Sequence, residues 1–473
     1  MKIKCFIFIL LQTLLNTVYS QDLTCDCSKV FTELCQKLEV NYLGLVYLRQ
    51  EKGDEWYSQL KGAFNENARS VAPNNCAAFL QKFLRNLDDG HVFVFERPSY
   101  GEAELLSLKS QIISEKLNEK ELEAELLQQS SSTPDPFIGK WGDGVNEYTV
   151  VKRGNEYLAY IKNSSEPSVV KGTLKARFQF LDGRFEGTYY SLTYRPRYAV
   201  GQMYKEGTLF AVDGGIYWVK WSSAYQRELS MINTENVTLP TITKLDEKTT
   251  LFSIPSFNVD RKLFDKILKE NEKVLKTTSH LIIDIRGNTG GNALYFSFLG
   301  IYADKHIPES QGFVLASEDT KAYYEEQAKY SRKIYEPVIN GISNNLGKVI
   351  DGPLYPVKKV SRINSQIETV SILTDHGCMS AAESFILHSK QVSDKVKTFG
   401  EPTGGVIDYT SVHVIKLTSS ESQNIYFGYP TSTLNKYAPG GGYNRTGIVP
   451  DVTIPANEED KIYWIMKYVN TRN

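Results

Sequence analysis

Ser380 is the residue of this chain whose neighbours best suit it for chemistry. Thr369-Val370-Ser371-Ile372-Leu373 has the composition of a buried strand, Thr374 to Met379 reads as a polar loop, and Ser380 to Ser389 as an apolar helix. A serine at a loop-to-helix junction is exposed, lies at the positive end of the helix dipole, and has a backbone N–H just behind it. Acyl transfer needs that combination, a hydroxyl to attack and an N–H to hold the oxyanion. A serine at such a junction is more often simply a helix N-cap, so the rest of the chain has to decide between the two.

A second segment bears on the decision. The apolar strand His280 to Ile285 runs into Arg286-Gly287-Asn288-Thr289-Gly290-Gly291-Asn292. Glycines at a turn after a strand let backbone N–H groups point into a site. The stretch has neither the G-x-G-x-x-G nor the Gly-Lys-Ser/Thr of a nucleotide loop. An oxyanion hole is the functional expectation, and tight strand-to-helix packing the structural one.

The elements around these segments change texture along the chain. With 473 residues, two or three domains are expected. Lys2 and Lys4, the apolar run Phe6 to Leu15 and Val18-Tyr19-Ser20 read as a secretory signal over 1–20, cleaved after Ser20. No later segment has the pattern of a membrane span, and export to a periplasm or the extracellular space is expected. The mature chain keeps Cys25, Cys27, Cys35, Cys76 and Cys378. The first four suit one or two disulfides whose pairing the sequence leaves open; a zinc site is not expected without a second C-x-x-C pair. Cys378 reads as a buried small residue rather than a nucleophile.

Residues 21–135 read as a helical region. Val30, Phe31, Leu34, Leu38 and Val40 recur at roughly helical spacing, as do residues from Cys76 to Leu87, and Glu102 to Gln129 reads as one charged amphipathic helix. Asp88-Asp89-Gly90 is a turn before the alternating His91-Val92-Phe93-Val94-Phe95. A linker, Ser130 to Pro136, precedes short alternating strands that make 136–240 a small all-β barrel or sandwich. From 241 to 473 strands alternate with helices, among them expected helices over Asp260–Leu275 and Asn292–Tyr302, which implies a sheet with parallel pairs covered on both faces. The balance of 54 Lys+Arg against 55 Asp+Glu offers no basic surplus for nucleic acid.

Together these segments resemble the C-terminal processing (tail-specific) serine peptidases and their tricorn-core relatives. Asp284-Ile285-Arg286-Gly287-Asn288-x-Gly290-Gly291 is similar to their glycine turn, and Ser380-Ala381-Ala382-Glu383 to their nucleophile segment. Gly400-Glu401-Pro402-Thr403-Gly404-Gly405, Gly447-Ile448-Val449-Pro450-Asp451 and Ile254-Pro255-Ser256-Phe257 resemble further segments in the same order. The resemblance implies a multidomain α+β protein. An α/β core with a crotonase-like βαβ sheet would carry the chemistry, beside an N-terminal helical region and an inserted all-β domain. It also implies a serine endopeptidase acting on peptides or proteins, with no metal or organic cofactor, and the leader makes it a secreted one. Ser380 would be the nucleophile, and the N–H groups of Ala381 and of the glycine turn, at Gly290, the oxyanion hole. Both are expected at helix N-termini.

The base departs from the Ser-Lys branch of that family, whose lysine falls near Val406; Thr403 to Ser411 contains none, and Lys390, Lys395 and Lys397 match no motif. Asp88-Asp89-Gly90-His91 resembles the histidine-bearing stretch of the tricorn-like branch, and His91 is the expected base, with Gly90 where that branch has a serine. A histidine needs no unusual shift to act near neutrality. His376 reads as a solvated loop residue and His388 as a packing one. Glu383 and Gly291 are supporting candidates, Glu383 by a capping box with Ser380 as much as by any role at the site. The competing readings are an inactive ligand- or peptide-binding protein on the same scaffold, as the retinoid-binding relatives of this family illustrate, and an interaction protein built around the β-rich region.

Overall fold

The computed structural model describes residues 25–471 apart from 131–134, 182, 205–206, 213–215, 223–238, 435–441, 445, 456–457 and 459. The expected leader and most of the expected linker therefore lie outside the described residues. Among the described residues no helix is long and apolar enough to cross a membrane.

The N-terminal region is helical, as its periodicity implies, over Cys27–Asn41, Leu43–Lys52, Asp54–Ala68 and Cys76–Leu84. Asp26 starts the first helix by accepting the Ser28 N–H at 3.0 Å. Val30, Phe31, Leu34 and Leu38 are buried on one face, and Cys27 is joined to Cys76 by a disulfide. Val40 does not belong to that face; it is 53% exposed, on the side of the helix that faces solvent. Cys25, Cys35 and Cys378 are free and buried. The single charged helix expected over Glu102 to Gln129 is two, Glu102–Ser114 and Glu119–Ser130. Asn118 interrupts it by capping the second: its Oδ1 accepts the Glu121 N–H at 2.9 Å while Glu121 returns the bond to the Asn118 N–H.

Eight antiparallel strands between Gly139 and Lys220 close into a barrel, the first pairing with the last through Trp141 and Lys220. Alternation sends Trp141, Tyr148, Phe178, Phe185, Phe210 and Trp218 inward to fill it. The β texture thus resolves as a barrel rather than a sandwich, and aromatic packing holds it.

The remaining chain builds two sheets. One runs Thr241–Lys244, Thr249–Ser253, His280–Asp284, Thr369–Thr374, Val396–Gly400, Val452–Thr453, all neighbours parallel except the first pair. Its central strands are apolar on both faces because helices and turns cover both. The expected helix Asp260–Leu275 is broken at Asn271 into Arg261–Glu270 and Glu272–Thr277. The expected helix Asn292–Tyr302 is absent; only the 3₁₀ turns Leu294–Ser297 and Leu299–Ile301 form. The chain there is held by a bridge between Phe257 and Gly291, and a side chain on Gly300 would meet the Ser361 carbonyl oxygen at 2.5 Å.

In the second sheet Ile425–Thr433 is central. Tyr409–Lys416 lies on one side, and on the other lie Phe93–Glu96 and Ser310–Leu315, the latter followed by Val349–Tyr355. This sheet joins the start of the chain to its end. Leu84, Leu87, Val92 and Val94 share a buried core with Tyr409, Ile425, Phe427 and Tyr429.

The Cys27–Cys76 bond closes a separation of 49 residues within this N-terminal layer. Loop-closure entropy puts its contribution at about 2–4 kcal/mol. Denaturant unfolding of Cys27→Ser/Cys76→Ser should show that loss, and the midpoint of the variant, unlike that of the parent, should not move when reductant is added.

Candidate active site

Ser380 sits between the strand Thr369–Thr374 and the helix Ala381–Val392, as the sequence implies. Its backbone is not that of an ordinary N-cap. At φ 56°, ψ −116° it lies in a region that non-glycine residues rarely enter. The turn is held by bonds on both sides: the Met379 N–H donates to the Asn288 carbonyl at 3.0 Å, and the Ser380 N–H to Glu383 Oε2 at 3.0 Å. Strain of this kind, of order 1–3 kcal/mol, persists only where the surroundings enforce it.

Glu383 provides much of that enforcement. Its carboxylate is wholly buried and accepts from Ser380 N–H, Thr403 Oγ1, Gly405 N–H and Val406 N–H. Burial raises its pKa, opposed by the four hydrogen bonds. Asp375 plays a similar part on the other flank. Its Oδ1 accepts the Gly287 N–H at 2.9 Å and the Gly377 N–H at 3.0 Å, tying the glycine turn to the nucleophile loop.

His91, from the other end of the chain, meets Ser380: His91 Nε2 and Ser380 Oγ are 2.9 Å apart. His91 Nδ1 lies 2.7 Å from the carbonyl oxygen of Tyr409. A carbonyl can only accept, so Nδ1 carries the proton and the lone pair of Nε2 faces the serine hydroxyl. The residue that orients the ring is thus a main-chain group, which no side-chain motif could have revealed. Asp89 supports the backbone instead: its Oδ1 accepts the His91 N–H at 2.9 Å and its Oδ2 the Tyr42 hydroxyl at 2.8 Å. Burial lowers the His91 pKa; the Asp89 charge and the Tyr409 bond oppose that, and the Arg184 charge adds to it.

A tight contact joins the histidine segment to the loop that Glu383 holds. Val406, 8% exposed, lies against Gly90, where a Cβ would come within 2.8 Å of Val406 Cγ2. A side chain at 90 would require Val406 or the histidine segment to shift.

The oxyanion donors require a correction. The Ala381 N–H opens the helix, where the first N–H groups have no intrahelical acceptor. Gly290 does lie against the nucleophile, since a Cβ there would be 2.9 Å from the Ala381 nitrogen and from Ser380 Cβ. Its N–H, however, is donated to Asn288 Oδ1 at 2.9 Å. The Phe257–Gly291 bridge uses the Gly290 carbonyl and the Asn292 N–H, and leaves the Gly291 N–H outside both bonds. Without a helix after it, the glycine turn also lacks the dipole expected for it; only Ala381 has one behind it.

The other histidines are elsewhere. His376 is exposed and faces Gly183 of the barrel. His388 packs on Tyr295, with its pKa pushed down to about 4 by burial. His280 bonds Thr369 Oγ1 at 2.9 Å, the Val360 N–H donates to His306 Nδ1 at 3.3 Å, and His413 packs between Tyr323 and Tyr429.

A strained serine facing an imidazole of fixed tautomer, beside an open helix N-terminus, is an arrangement suited to acyl transfer. Residues 248–454 match the model of Peptidase family S41, so the chain carries an S41 peptidase domain and is a serine-type peptidase. The matched span holds Ser380, Glu383, Tyr409 and the glycine turn, but not His91. No curated protein matches the chain in sequence. Among solved structures it is similar to mature CPAF complexed with lactacystin, at 12% identity and TM-score 0.50, covering 94% of this chain and 97% of that one. It is also similar to the photosystem II D1 C-terminal processing protease, at 13% identity and TM-score 0.37, covering 90% and 93%. A third is the tricorn protease, at 11% and 0.40, covering 95% of this chain and 37% of that one. At such identities the likeness is one of fold, carried by the first.

Replacing Glu383 by Ala would leave four donors without an acceptor, three of them backbone N–H groups. The expected loss is about 2–4 kcal/mol, read as a lower denaturation midpoint. The Ser380 hydroxyl should lose reactivity even in the fraction that stays folded.

Proposed function

We propose that the chain is an exported serine endopeptidase working through a Ser-His acyl-enzyme mechanism. Ser380 Oγ attacks a peptide carbonyl as its proton passes to His91 Nε2. The oxyanion is held by the N–H groups of Ala381 and Gly291. The tetrahedral adduct collapses, and the imidazolium gives its proton to the leaving amine. Water then gives a proton to His91 as its oxygen bonds to the acyl carbon, and this second adduct collapses as His91 returns the proton to Ser380 Oγ and the acid departs. The observation that carries this reading is the 2.9 Å contact between His91 Nε2 and Ser380 Oγ, made by residues 289 positions apart.

In this reading 241–473 is the catalytic core with a crotonase-like sheet, 21–135 supplies the base, and 136–240 is an inserted all-β domain. Export is supported by the signal-like 1–20 and by the disulfide, a bond that persists in oxidising compartments.

A fluorophosphonate probe should label the mature protein and should label neither Ser380→Ala nor His91→Ala. Peptide hydrolysis should vanish with Ser380→Ala and fall about 100- to 10,000-fold with His91→Ala. Failure of the folded, peptide-accessible parent to label would return the chain to the binding-protein reading.

The pH dependence follows from His91. The neutral ring is the base and burial favours it, so kcat/KM should rise with pH to a plateau with its midpoint below the ordinary 6.5. The Asp89 charge favours the imidazolium, so Asp89→Asn should move that midpoint lower still. A midpoint above 6.5 in the parent would show that another group limits the reaction.

A further inference from the structure

Asn288 is fully buried in the glycine turn and bonds to three segments of the core. Its Nδ2 donates to the Ile254 carbonyl at 2.9 Å, just past the strand Thr249–Ser253. Its Oδ1 accepts the Gly290 N–H at 2.9 Å, and its own carbonyl accepts the N–H of Met379, the residue before the nucleophile, at 3.0 Å. Gly290 is thereby held through both of its peptide planes, because its carbonyl accepts the Phe257 N–H at 3.0 Å. At φ 100° it sits where only a glycine is at ease, and these two bonds remove the freedom a glycine would otherwise keep. A trans peptide points the carbonyl of one residue and the N–H of the next to opposite sides. With the Gly290 carbonyl on Phe257, the Gly291 N–H is turned away from Phe257. Gly290 meets the nucleophile in another direction, along its missing Cβ, toward the Ala381 nitrogen and Ser380 Cβ. Of the two glycines, Gly290 is buried and Gly291 is exposed.

We propose that Asn288 is the positioning residue of the oxyanion hole, withholding the Gly290 N–H and presenting the Gly291 N–H to the reacting carbonyl. This rests on the acyl-enzyme reading given above. Two adjacent N–H groups of the turn compete for the oxyanion. For Gly290 to serve, its N–H would have to leave Asn288 at the moment of reaction. The Asn288 Oδ1 would then be left without its donor in a fully buried place, which is unfavourable on general grounds. The Gly291 N–H has no such bond to break, and donors already in place are the ones that stabilise a developing charge best. The same asparagine sets the distance between the two donors. Its carbonyl ties the glycine turn to Met379, and Met379 leads through Ser380 to the Ala381 N–H. Asn288 lies beneath the turn and acts only through the two glycines and the nucleophile loop.

The test replaces single N–H groups by ester oxygens in the full mature chain, as Gly290→glycolate and Gly291→glycolate. Hydrolysis of a fluorogenic peptide is followed, with kcat taken per site titrated by the fluorophosphonate probe, so that unfolded protein does not count. Gly291→glycolate should lower kcat about 100-fold and leave KM within about threefold. Gly290→glycolate removes only the bond to Asn288 and should lower kcat about tenfold. Asn288→Ala should match it, and the two together should lose about as much as either alone, because they remove the same bond. Asn288→Asp, which keeps an acceptor for Gly290, should recover part of the loss. A merely structural role through Ile254 would make the two losses multiply and would leave Asn288→Asp no better than Asn288→Ala. That result would overturn the proposal, as would a larger loss from Gly290→glycolate than from Gly291→glycolate. The ester pair decides between the two N–H groups even where Asn288→Ala does not fold. Failure of the acyl-enzyme reading itself would show separately, as a parent that takes up no probe.

Discussion

The hydrogen bond from His91 Nδ1 to the Tyr409 carbonyl is the constraint on which the site depends. It fixes the tautomer, and with it the direction of the lone pair that faces Ser380. Its partners are 318 residues apart, so it forms only when the helical N-terminal region docks on the sheet made near the end of the chain. That docking has its own driving force. Phe93–Glu96 pairs in antiparallel register with Ile425–Gly428, and the apolar face of the first helices closes over Tyr409, Phe427 and Tyr429. Hydrophobic burial thus places an imidazole that hydrogen bonding then aims.

A second constraint acts from the core side. Ser380 is held at an unfavourable backbone angle, and the group that opposes its relaxation is a carboxylate without a counter-cation among its bonded partners. Glu383 is stabilised by three backbone N–H groups and a hydroxyl, a geometry in which a buried charge is held by hydrogen bonds alone. Because Thr403, Gly405 and Val406 are among those donors, the same carboxylate also shapes the loop on which Gly90 rests. Nucleophile and base are thereby registered against a single buried group, although neither contacts it through its reacting atom.

What could be read in the sequence divides along a physical line. Ser380 stood out by its strand-loop-helix junction and Glu383 by its place one turn after it, whereas His91 was reached only through the resemblance of Asp88-Asp89-Gly90-His91 to a family stretch. The barrel was legible from alternation, and the buried face of Cys27–Asn41 from its period. The Tyr409 carbonyl was not, since any residue presents one. Nor was the commitment of the Gly290 N–H to Asn288, a bond within a loop that periodicity does not address. The expected helix over Asn292–Tyr302 failed for a tertiary reason: its composition permits a helix, but the bridge to Phe257 and the close approach of Gly300 to Ser361 hold the chain in 3₁₀ turns.

The choice of a histidine also has a physical argument behind it. A lysine base must be deprotonated in the folded protein, which requires burial to lower its pKa by several units from near 10. By the resemblance such a lysine would fall near Val406, a small β-branched residue whose N–H is bound by Glu383 and whose methyl groups lie against Gly90. With that place filled by packing, a base must enter laterally, and the only described imidazole on Ser380 is His91. For histidine the demand on burial is far smaller, since an ordinary imidazole is already mostly neutral near pH 7 and burial shifts it further that way. The S41-matched span from 248 to 454 therefore supplies strain, helix N-terminus and the carbonyl that orients the ring, but not the ring itself. In the proposed mechanism that division makes activity a direct report on whether the N-terminal layer has docked.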